Sequence, residues 1–182
     1  KCRYLMKIST WNVNSVNVRL PNVIKYLSDY QPDILCLQEL KCDTDKYPLE
    51  TIENAGYYSI HACQKTYNGV SIISKTKASD IDINPVEIIP GEMRSIAATY
   101  KGIRIVNFYV VNGQALGSDK YTYKLEWLKK ASTYLKNELS NHKKLVLVGD
   151  FNIVPSEHDA HNFSSDDILC SHEERQALKE IL

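Results

Sequence analysis

Two apolar runs that end in polar residues constrain the fold of this chain more than any other feature. Leu145–Val148 is followed directly by Gly149–Asn152 (Gly-Asp-Phe-Asn), and Asp33–Leu37 is followed by Gln38 and Glu39. Short runs of apolar and β-favouring residues are typical of buried strands. Since open α/β sheets bind their ligands at the carboxyl ends of the strands, we expect these oxygen-bearing side chains to form part of a site.

The N-terminal part of the chain predicts a β-helix-β unit. Lys7–Asn12 alternates and is rich in β-favouring residues, and Asp33–Leu37 provides the second strand. Between them, apolar residues recur at the i, i+3, i+4, i+7 spacing of an amphipathic helix, namely Leu20, Val23, Ile24 and Leu27. Pro21 suits a first helical turn, and Pro32 ends the segment. Such a unit predicts two parallel strands with a right-handed crossover.

The remaining sequence predicts further strands and two more helices. Four β-favouring runs separated by short turn segments suggest antiparallel pairing, at residues 57–62, 70–74, 95–100 and 103–109. A long helix is predicted from about Lys120 to Leu139, and a final one from about Glu173 to Leu182. We therefore expect one α/β domain over residues 6–182, built of two packed sheets with helices outside, with residues 1–5 as an extension of the fold.

Composition and charge bear on the class of protein. The 22 basic and 22 acidic residues cancel, so any contact with nucleic acid must depend on a local basic patch rather than on net charge. Five scattered cysteines without Cys-x-x-Cys spacing favour reduced thiols over a disulfide framework or a zinc site. No run is long enough to cross a bilayer and no signal-peptide pattern precedes the first strand, which predicts a cytoplasmic protein.

The polar residues at the predicted strand ends suit the hydrolysis of a phosphodiester. That reaction needs a divalent cation, an activated water and donors for the developing negative charge. Glu39 is the natural Mg²⁺ ligand, because Mg²⁺ takes few protein carboxylates and keeps several waters. Asp150 could orient or deprotonate water, Asn12 and Asn152 could support the metal or donate to phosphate, and Tyr109 could hydrogen-bond the phosphate.

Each of these residues also has an ordinary structural interpretation. Glu39 could be a solvated turn residue, Asp150 a helix cap, and Tyr109 a core aromatic. Their common position at strand ends in one small domain is what favours a site. Three histidines in the polar C-terminal part are interpreted as surface residues. Basic side chains that could meet a phosphate backbone are Lys41, Lys65, Arg94, Lys120 and Lys124.

From Met6 onwards the chain resembles the exonuclease III family, DNA-repair nucleases that cleave at abasic sites and belong to the endonuclease–exonuclease–phosphatase superfamily. The segments that carry the resemblance are, in order, Trp11–Ser15, Leu37–Lys41, Asn68–Ile72, Tyr109–Gly113 and Gly149–Asn152. Two further segments, Tyr123–Leu128 and Ser171–Arg175, are also similar to that family.

The resemblance implies a fold and an activity. The fold would be a four-layer α/β sandwich of two packed mixed sheets with outer helices, its second half incomplete in these residues. The activity would be Mg²⁺-dependent cleavage, with Mn²⁺ as a substitute, on the 5′ side of abasic sites, together with 3′→5′ exonuclease and 3′-phosphatase activity. The partner would be double-stranded DNA with abasic sites or 3′ ends, and the protein would be a monomer.

The resemblance also implies roles for individual residues. The metal site would comprise Asn12, Glu39, Asp150 and Asn152. The catalytic residues would be Tyr109, Asp150 and Asn152. The DNA-facing side would carry Arg94, Asn112 and Lys124.

One departure from the family pattern alters the expected activity. Members of the family carry an Asp-His pair in a further C-terminal portion, and no Asp-His pair follows Asp150 here. We therefore expect an exposed edge on the second sheet, which could pair with another chain to form a dimer, and slow turnover. Two alternatives stay open: a catalytically silent protein that binds nucleic acid or a protein partner, and a phosphatase of inositol lipids or an RNA deadenylase of the same fold.

Overall fold

The computed structural model describes residues 5–161 and 163–182, so Cys2 and most of the predicted extension lie outside the described residues. The chain divides into two compact units. The first contains the described residues up to Tyr109 together with Lys144–Asp150, and the second contains Val110–Lys143 and the described residues from Phe151 onwards.

The first unit contains all eight of the described strands and two of the four described α-helices. In chain order these are β1 (Ile8–Asn12), α1 (Val16–Tyr30), β2 (Ile34–Gln38), α2 (Leu49–Asn54), β3 (Tyr58–Ala62), β4 (Val70–Ser74), β5 (Ser79–Ile83), β6 (Ser95–Tyr100), β7 (Ile103–Tyr109) and, after an interruption by the second unit, β8 (Leu145–Asp150). The second unit contains α3 (Asp119–Asn141) and α4 (His172–Ile181).

The strands form two mixed four-stranded sheets, in the orders β1-β2-β4-β3 and β5-β6-β7-β8. The pairs β1/β2 and β7/β8 are parallel and the other pairs are antiparallel. Asn12 lies opposite Gln38 at the end of one parallel pair, and Tyr109 lies opposite Asp150 at the end of the other. The predicted parallel β-helix-β unit is therefore confirmed, and the carboxyl ends of four strands carry polar side chains.

Alternate residues of β2 belong to two different hydrophobic cores, which explains its continuous apolar sequence. Leu35 and Leu37 lie in a buried cluster with Val23 of α1, whereas Ile34 and Cys36 lie in a cluster with residues of the other sheet, including Ile105. The two sheets thus pack face to face, and α1 covers the outer face of the first sheet. The predicted α/β fold with two packed mixed sheets is confirmed.

Helix α1 begins earlier than its apolar spacing predicts. It starts at Val16, where the Ser15 side chain accepts a hydrogen bond from the Val18 amide. Pro21 therefore lies inside the helix rather than in its first turn, and lacks the amide that would donate to the preceding turn. The helix ends as predicted before Pro32, with Gln31 in the left-handed conformation.

Strand β5 was not predicted from the sequence, because Asp80 and Asp82 lower its β propensity. It is an edge strand, and Ile81 and Ile83 are 46% and 51% exposed. The Arg104 side chain, only 1% exposed, compensates the acidic residues by donating to Asp82 Oδ2 at 2.5 Å and to the Asp80 carbonyl. The other end of this sheet is β8, whose six residues are all intermediate in exposure.

The second unit is built on α3 and α4, both close to their predicted bounds. Ser118 caps α3 by accepting from the Tyr121 amide at 3.1 Å. Ser171 and Glu174 form a reciprocal capping box at the start of α4. The two helices are joined by hydrogen bonds, including one of 2.8 Å between the Tyr121 and Ser171 hydroxyl groups. No helix in the described part of the chain has both the length and the apolar character needed to span a membrane.

Candidate active site

Four of the residues singled out in the sequence come together in the first unit, at the carboxyl ends of β1, β2, β7 and β8. Asn12 lies between two carboxylates: its Nδ2 donates to Glu39 Oε1 at 2.7 Å and to Asp150 Oδ2 at 2.8 Å. Tyr109, the last residue of β7, is hydrogen-bonded to Glu39. We call Asn12, Glu39, Tyr109 and Asp150 the carboxylate cluster.

Gly149 allows β8 to approach β7 closely enough to deliver Asp150 to this cluster. It has a φ of +149°, and a Cβ added there would lie 2.0 Å from the Phe108 carbonyl oxygen. Any side chain would therefore push β8 away from β7. The close packing of β8 against β7 thus requires glycine at position 149, directly before Asp150.

Glu39 is held in a left-handed backbone conformation, with φ of +58°. Such a conformation is costly for a residue with a side chain, and persists only where its surroundings fix it. The Glu39 carbonyl accepts from the Ser15 amide at 2.8 Å, and the following Leu40 and Lys41 amides donate to Gly69 and Asn68 carbonyls at 3.1 and 3.0 Å. Backbone hydrogen bonds on both sides thus aim the Glu39 side chain at Asn12.

The charge of Glu39 is compensated on both carboxylate oxygens. Oε1 accepts from Asn12, and Oε2 forms an ion pair of 2.7 Å with Lys41 Nζ. Burial alone would raise the pKa of Glu39, but hydrogen bonds from Asn12, Lys41 and Tyr109 outweigh it, so the pKa lies below its usual value. The ammonium of Lys41, predicted as a phosphate contact, is thus bound to Glu39 and also donates to Asn14 Oδ1 at 2.6 Å.

Tyr109 is kept in its neutral phenol form. Burial raises the pKa of Tyr109, and the negative charge of Glu39 and the hydrogen bond to it raise this pKa further, since a phenolate beside a carboxylate is disfavoured. The Arg94 guanidinium lies 5.2 Å from the centre of the Tyr109 ring. Arg94 is itself paired with Glu92 at 2.8 Å, so it has a carboxylate partner in addition to the aromatic contact.

The carboxylate cluster fits a cation that takes few protein ligands. Within the described residues, no group of three or more His, Cys, Asp or Glu side chains is placed to hold a metal ion. Glu39 and Asp150 share one bridging amide, and this donor set suits Mg²⁺, which completes its shell with water. Asn12 Nδ2 donates to both carboxylates, while Asn12 Oδ1 accepts from the Asn14 amide at 3.1 Å. In this arrangement Asn12 therefore orients the two carboxylates.

A buried amide network underlies the cluster and was not predicted from the sequence. Gln38 Nε2 donates to Asn107 Oδ1 at 2.7 Å and to Thr10 Oγ1 at 2.9 Å. Asn107 Nδ2 in turn donates to the Leu37 and Ser71 carbonyls at 2.9 and 3.0 Å. These bonds join β7 to β2 and β4 across the two sheets. They therefore fix β2, which Glu39 follows directly, relative to β7, which ends in Tyr109.

The second unit contains the remaining predicted residues, which form a group of their own. Asn152 has a φ of +48°, and its Nδ2 donates to the Val110 carbonyl at 2.9 Å. Asn112 Nδ2 approaches Asn152 Oδ1 at 3.4 Å. Lys124 Nζ donates to the Asn152 carbonyl at 2.6 Å and to the Asn112 carbonyl at 3.2 Å.

Lys124, which the resemblance implies on the DNA-facing side, is buried within the second unit. It is 0% exposed, and its ammonium forms an ion pair with the carboxylate of Glu174, which is also 0% exposed. Lys124 therefore fixes the backbone of Asn112 and Asn152 from inside the unit. Glu174 was missed as a partner, although the Ser-x-x-Glu spacing of Ser171 and Glu174 predicts the capping box that holds it. The three histidines at 158, 161 and 172 are exposed.

Comparison with known proteins identifies the family. The Endonuclease/Exonuclease/phosphatase family matches residues 9–178. The chain belongs to this family. Within the family, the resemblance to exonuclease III is confirmed by relatives and by solved structures.

The relatives are nucleases and a phosphatase. The chain is 43% identical to the 3′ phosphatase NExo from Neisseria bound to product DNA hairpin, covering 97% of this chain and 70% of that one with a TM-score of 0.92. An AP endonuclease from Archaeoglobus fulgidus is 35% identical over the same shares, with a TM-score of 0.91. Exodeoxyribonuclease III of Haemophilus influenzae is 28% identical over 160 residues, 85% of this chain and 60% of the relative. The chain thus spans about 60% of the length of this relative and of an exodeoxyribonuclease from Bacillus subtilis.

Proposed function

We propose that this chain is a metal-dependent phosphodiesterase of the exonuclease III type that acts on DNA. Its activities would be incision on the 5′ side of abasic sites, 3′→5′ exonuclease activity and removal of 3′ phosphates. The observation that carries the proposal is the carboxylate cluster, in which one amide joins Glu39 to Asp150 beside the Tyr109 phenol. The similarity to a 3′ phosphatase and to an AP endonuclease supports the choice of DNA.

Each residue of the cluster has a separate role in this proposal. Glu39 binds Mg²⁺, or Mn²⁺ in its place, because its carboxylate is ionised and partly exposed at a strand end. The cation, when bound, neutralises phosphate charge and polarises the bond to be cleaved. Asp150 orients the attacking water or takes its proton, Asn12 holds the two carboxylates in register, and the Tyr109 phenol donates a hydrogen bond to the phosphate.

Asn152 completes the proposed catalytic set as a donor to the transition state. This role rests on its position two residues after Asp150 in the motif shared with the family. Arg94, Asn112 and Lys41 are proposed to contact DNA, and Lys124 is proposed only to position Asn112 and Asn152. We further propose a cytoplasmic monomer.

Cleavage by this chain can be tested directly, with Asp150 as the residue on which it is expected to depend. The test is cleavage of a duplex that carries one abasic-site analogue, with Mg²⁺ or with EDTA. Asp150→Asn should abolish Mg²⁺-dependent cleavage, and Asp166→Asn, at an exposed loop position, should not. Cleavage that survives Asp150→Asn would overturn the assignment. Binding of the duplex without any cleavage would identify the silent binding protein instead.

The choice of substrate needs a separate panel. The same preparations should be offered a 3′-phosphorylated DNA, a polyadenylated RNA and an inositol phosphate, each with Mg²⁺. Preference for the DNA substrates is expected. Faster release of phosphate from the inositol compound, or faster shortening of the RNA, would favour the other activities of this fold.

A further inference from the structure

Two cysteine thiols outside the carboxylate cluster lie in contact with each other. Cys42 Sγ and Cys63 Sγ are 3.8 Å apart, although 21 residues separate them along the chain. A disulfide requires the sulfurs to approach to about 2.05 Å, so each sulfur must move by about 1 Å from its present position. Neither thiol has a role in the proposed phosphodiesterase activity.

The backbone around the two thiols is anchored on the same strand. Val70, the first residue of β4, lies opposite Gln38 of β2 on one side and opposite Ala62 of β3 on the other. Cys63 directly follows Ala62, and the segment before Cys42 is hydrogen-bonded through Lys41 to the Asn68 carbonyl. The contact between the sulfurs is therefore set by the sheet rather than by two loose loops.

The two thiols differ in exposure, so one is accessible to a reagent in solution and the other is buried. Cys42 is 4% exposed, whereas Cys63 is half-buried, so a reagent reaches Cys63 more readily. The hydrogen bond between the sulfurs lowers the pKa of Cys42 and raises the pKa of Cys63, because the Cys63 thiol can donate to a Cys42 thiolate. Cys36 provides a contrast: it is fully buried in the core, and burial raises its pKa well above that of a free thiol.

We propose that Cys42 and Cys63 are a reactive dithiol that closes into an intrachain disulfide by exchange with a small-molecule disulfide such as oxidised glutathione. The Cys63 thiol passes its proton to the Cys42 thiolate as Cys63 Sγ attacks one glutathione sulfur. The first glutathione thiolate is released and takes that proton from Cys42. The Cys42 thiolate then attacks Cys63 Sγ in the mixed disulfide and releases the second. The two cysteine protons go to the two glutathione thiolates, so two protein thiols are oxidised and one glutathione disulfide is reduced.

The test uses the native 182-residue protein in glutathione buffers of increasing oxidised fraction, followed by acid quenching, alkylation and peptide mass mapping. The expected result is a loss of two hydrogens, a cross-link between the peptides of Cys42 and Cys63, and reversal by dithiothreitol. Since the bond closes a loop, Tm should rise by several degrees on oxidation. Cys170→Ser should behave as the unmodified protein does.

Two single variants make the assignment specific. Cys42→Ala should stop the reaction at a glutathione adduct on Cys63, and Cys63→Ala should remove the reaction altogether. The proposal is overturned if the unmodified protein retains a stable adduct on Cys63, if the cross-link forms only in urea, or if Cys42→Ala still loses two hydrogens. The measurement on the unmodified protein stands even if either variant folds poorly.

Discussion

Glu174→Gln tests how strongly the second unit depends on its buried ion pair. Lys124 and Glu174 are both 0% exposed, so the substitution leaves an ammonium in the interior without its carboxylate partner. Removing one member of a buried pair costs about 3–5 kcal/mol. Two features act in opposite directions within this range. The Asn152 and Asn112 carbonyls still accept from Lys124, which limits the loss. Glutamine has a single acceptor oxygen, so it can accept from only one of the Ser171 and Leu169 amides, which bond to different oxygens of Glu174.

The coupling between the two charges can be measured with a double-mutant cycle. Lys124→Met alone leaves a buried carboxylate, and the double variant leaves neither charge. We therefore expect the double variant to lose less stability than the sum of the single variants, by at least about 1 kcal/mol. Free energies of unfolding would come from urea titrations, with the m-value checked for a change in mechanism.

An exposed ion pair provides the matched control for this cycle. Lys25 and Asp29 on α1 are 75% and 45% exposed at their side chains, and lie 2.6 Å apart. Lys25→Met should leave the free energy of unfolding nearly unchanged, because an exposed ion pair contributes little. A comparably small effect of Glu174→Gln, or strict additivity of the Lys124 and Glu174 substitutions, would refute the view that this pair organises the unit.

Three other changes test the site and its support. Gly149→Ala should lose at least about 3 kcal/mol of unfolding free energy, because its Cβ would lie 2.0 Å from the Phe108 carbonyl oxygen. Gly102→Ala is the control, because it shares the strain of a positive φ (+76°) but its Cβ meets no atom within 4 Å, so it should lose less. Equal losses would contradict the steric argument. Because the pKa of Glu39 is lowered in the folded state, ionised Glu39 stabilises the fold above pH 4.5, and this stability is lost as the pH falls through the folded-state pKa. Glu39→Gln should therefore weaken the dependence of the unfolding free energy on acid pH, as measured by urea titrations. An unchanged dependence would count against the charge assignment. Saturating Mg²⁺ should raise the Tm of the unmodified protein and not that of Glu39→Gln, and an equal shift in both would place the cation elsewhere.

The sequence predicts most of the secondary structure because apolar patterning and turn residues act locally. The run Leu145–Val148 identifies β8, and the residues after it are adjacent in the chain and so must follow the strand end. Strand β5 is not predicted, because the negative charge of its aspartates is compensated by Arg104, which lies in another strand. The start of α1 is not predicted either, because the stabilisation from the Ser15 cap outweighs the cost of Pro21 inside the helix.

The candidate site is less predictable, because its contacts join distant parts of the chain. Asn12 bonds to Asp150 across 138 residues, and nothing near either residue indicates which amide faces which carboxylate. Lys124 illustrates the same limit. A lysine near the start of a helix ordinarily indicates an exposed cation, but its surroundings depend on Glu174, which lies 50 residues further along.

Lys41 connects the charge balance of the cluster with the proposed reaction. It forms an ion pair with Glu39 Oε2, the same carboxylate that is proposed to bind Mg²⁺. A divalent cation at Glu39 must therefore compete with the Lys41 ammonium, which weakens its apparent affinity. The bound cation in turn weakens the attraction that holds the Lys41 ammonium to the Glu39 carboxylate. If DNA contacts Lys41 as proposed, its phosphate would offer the Lys41 ammonium a second negatively charged partner. Cation binding and DNA binding would then reinforce each other.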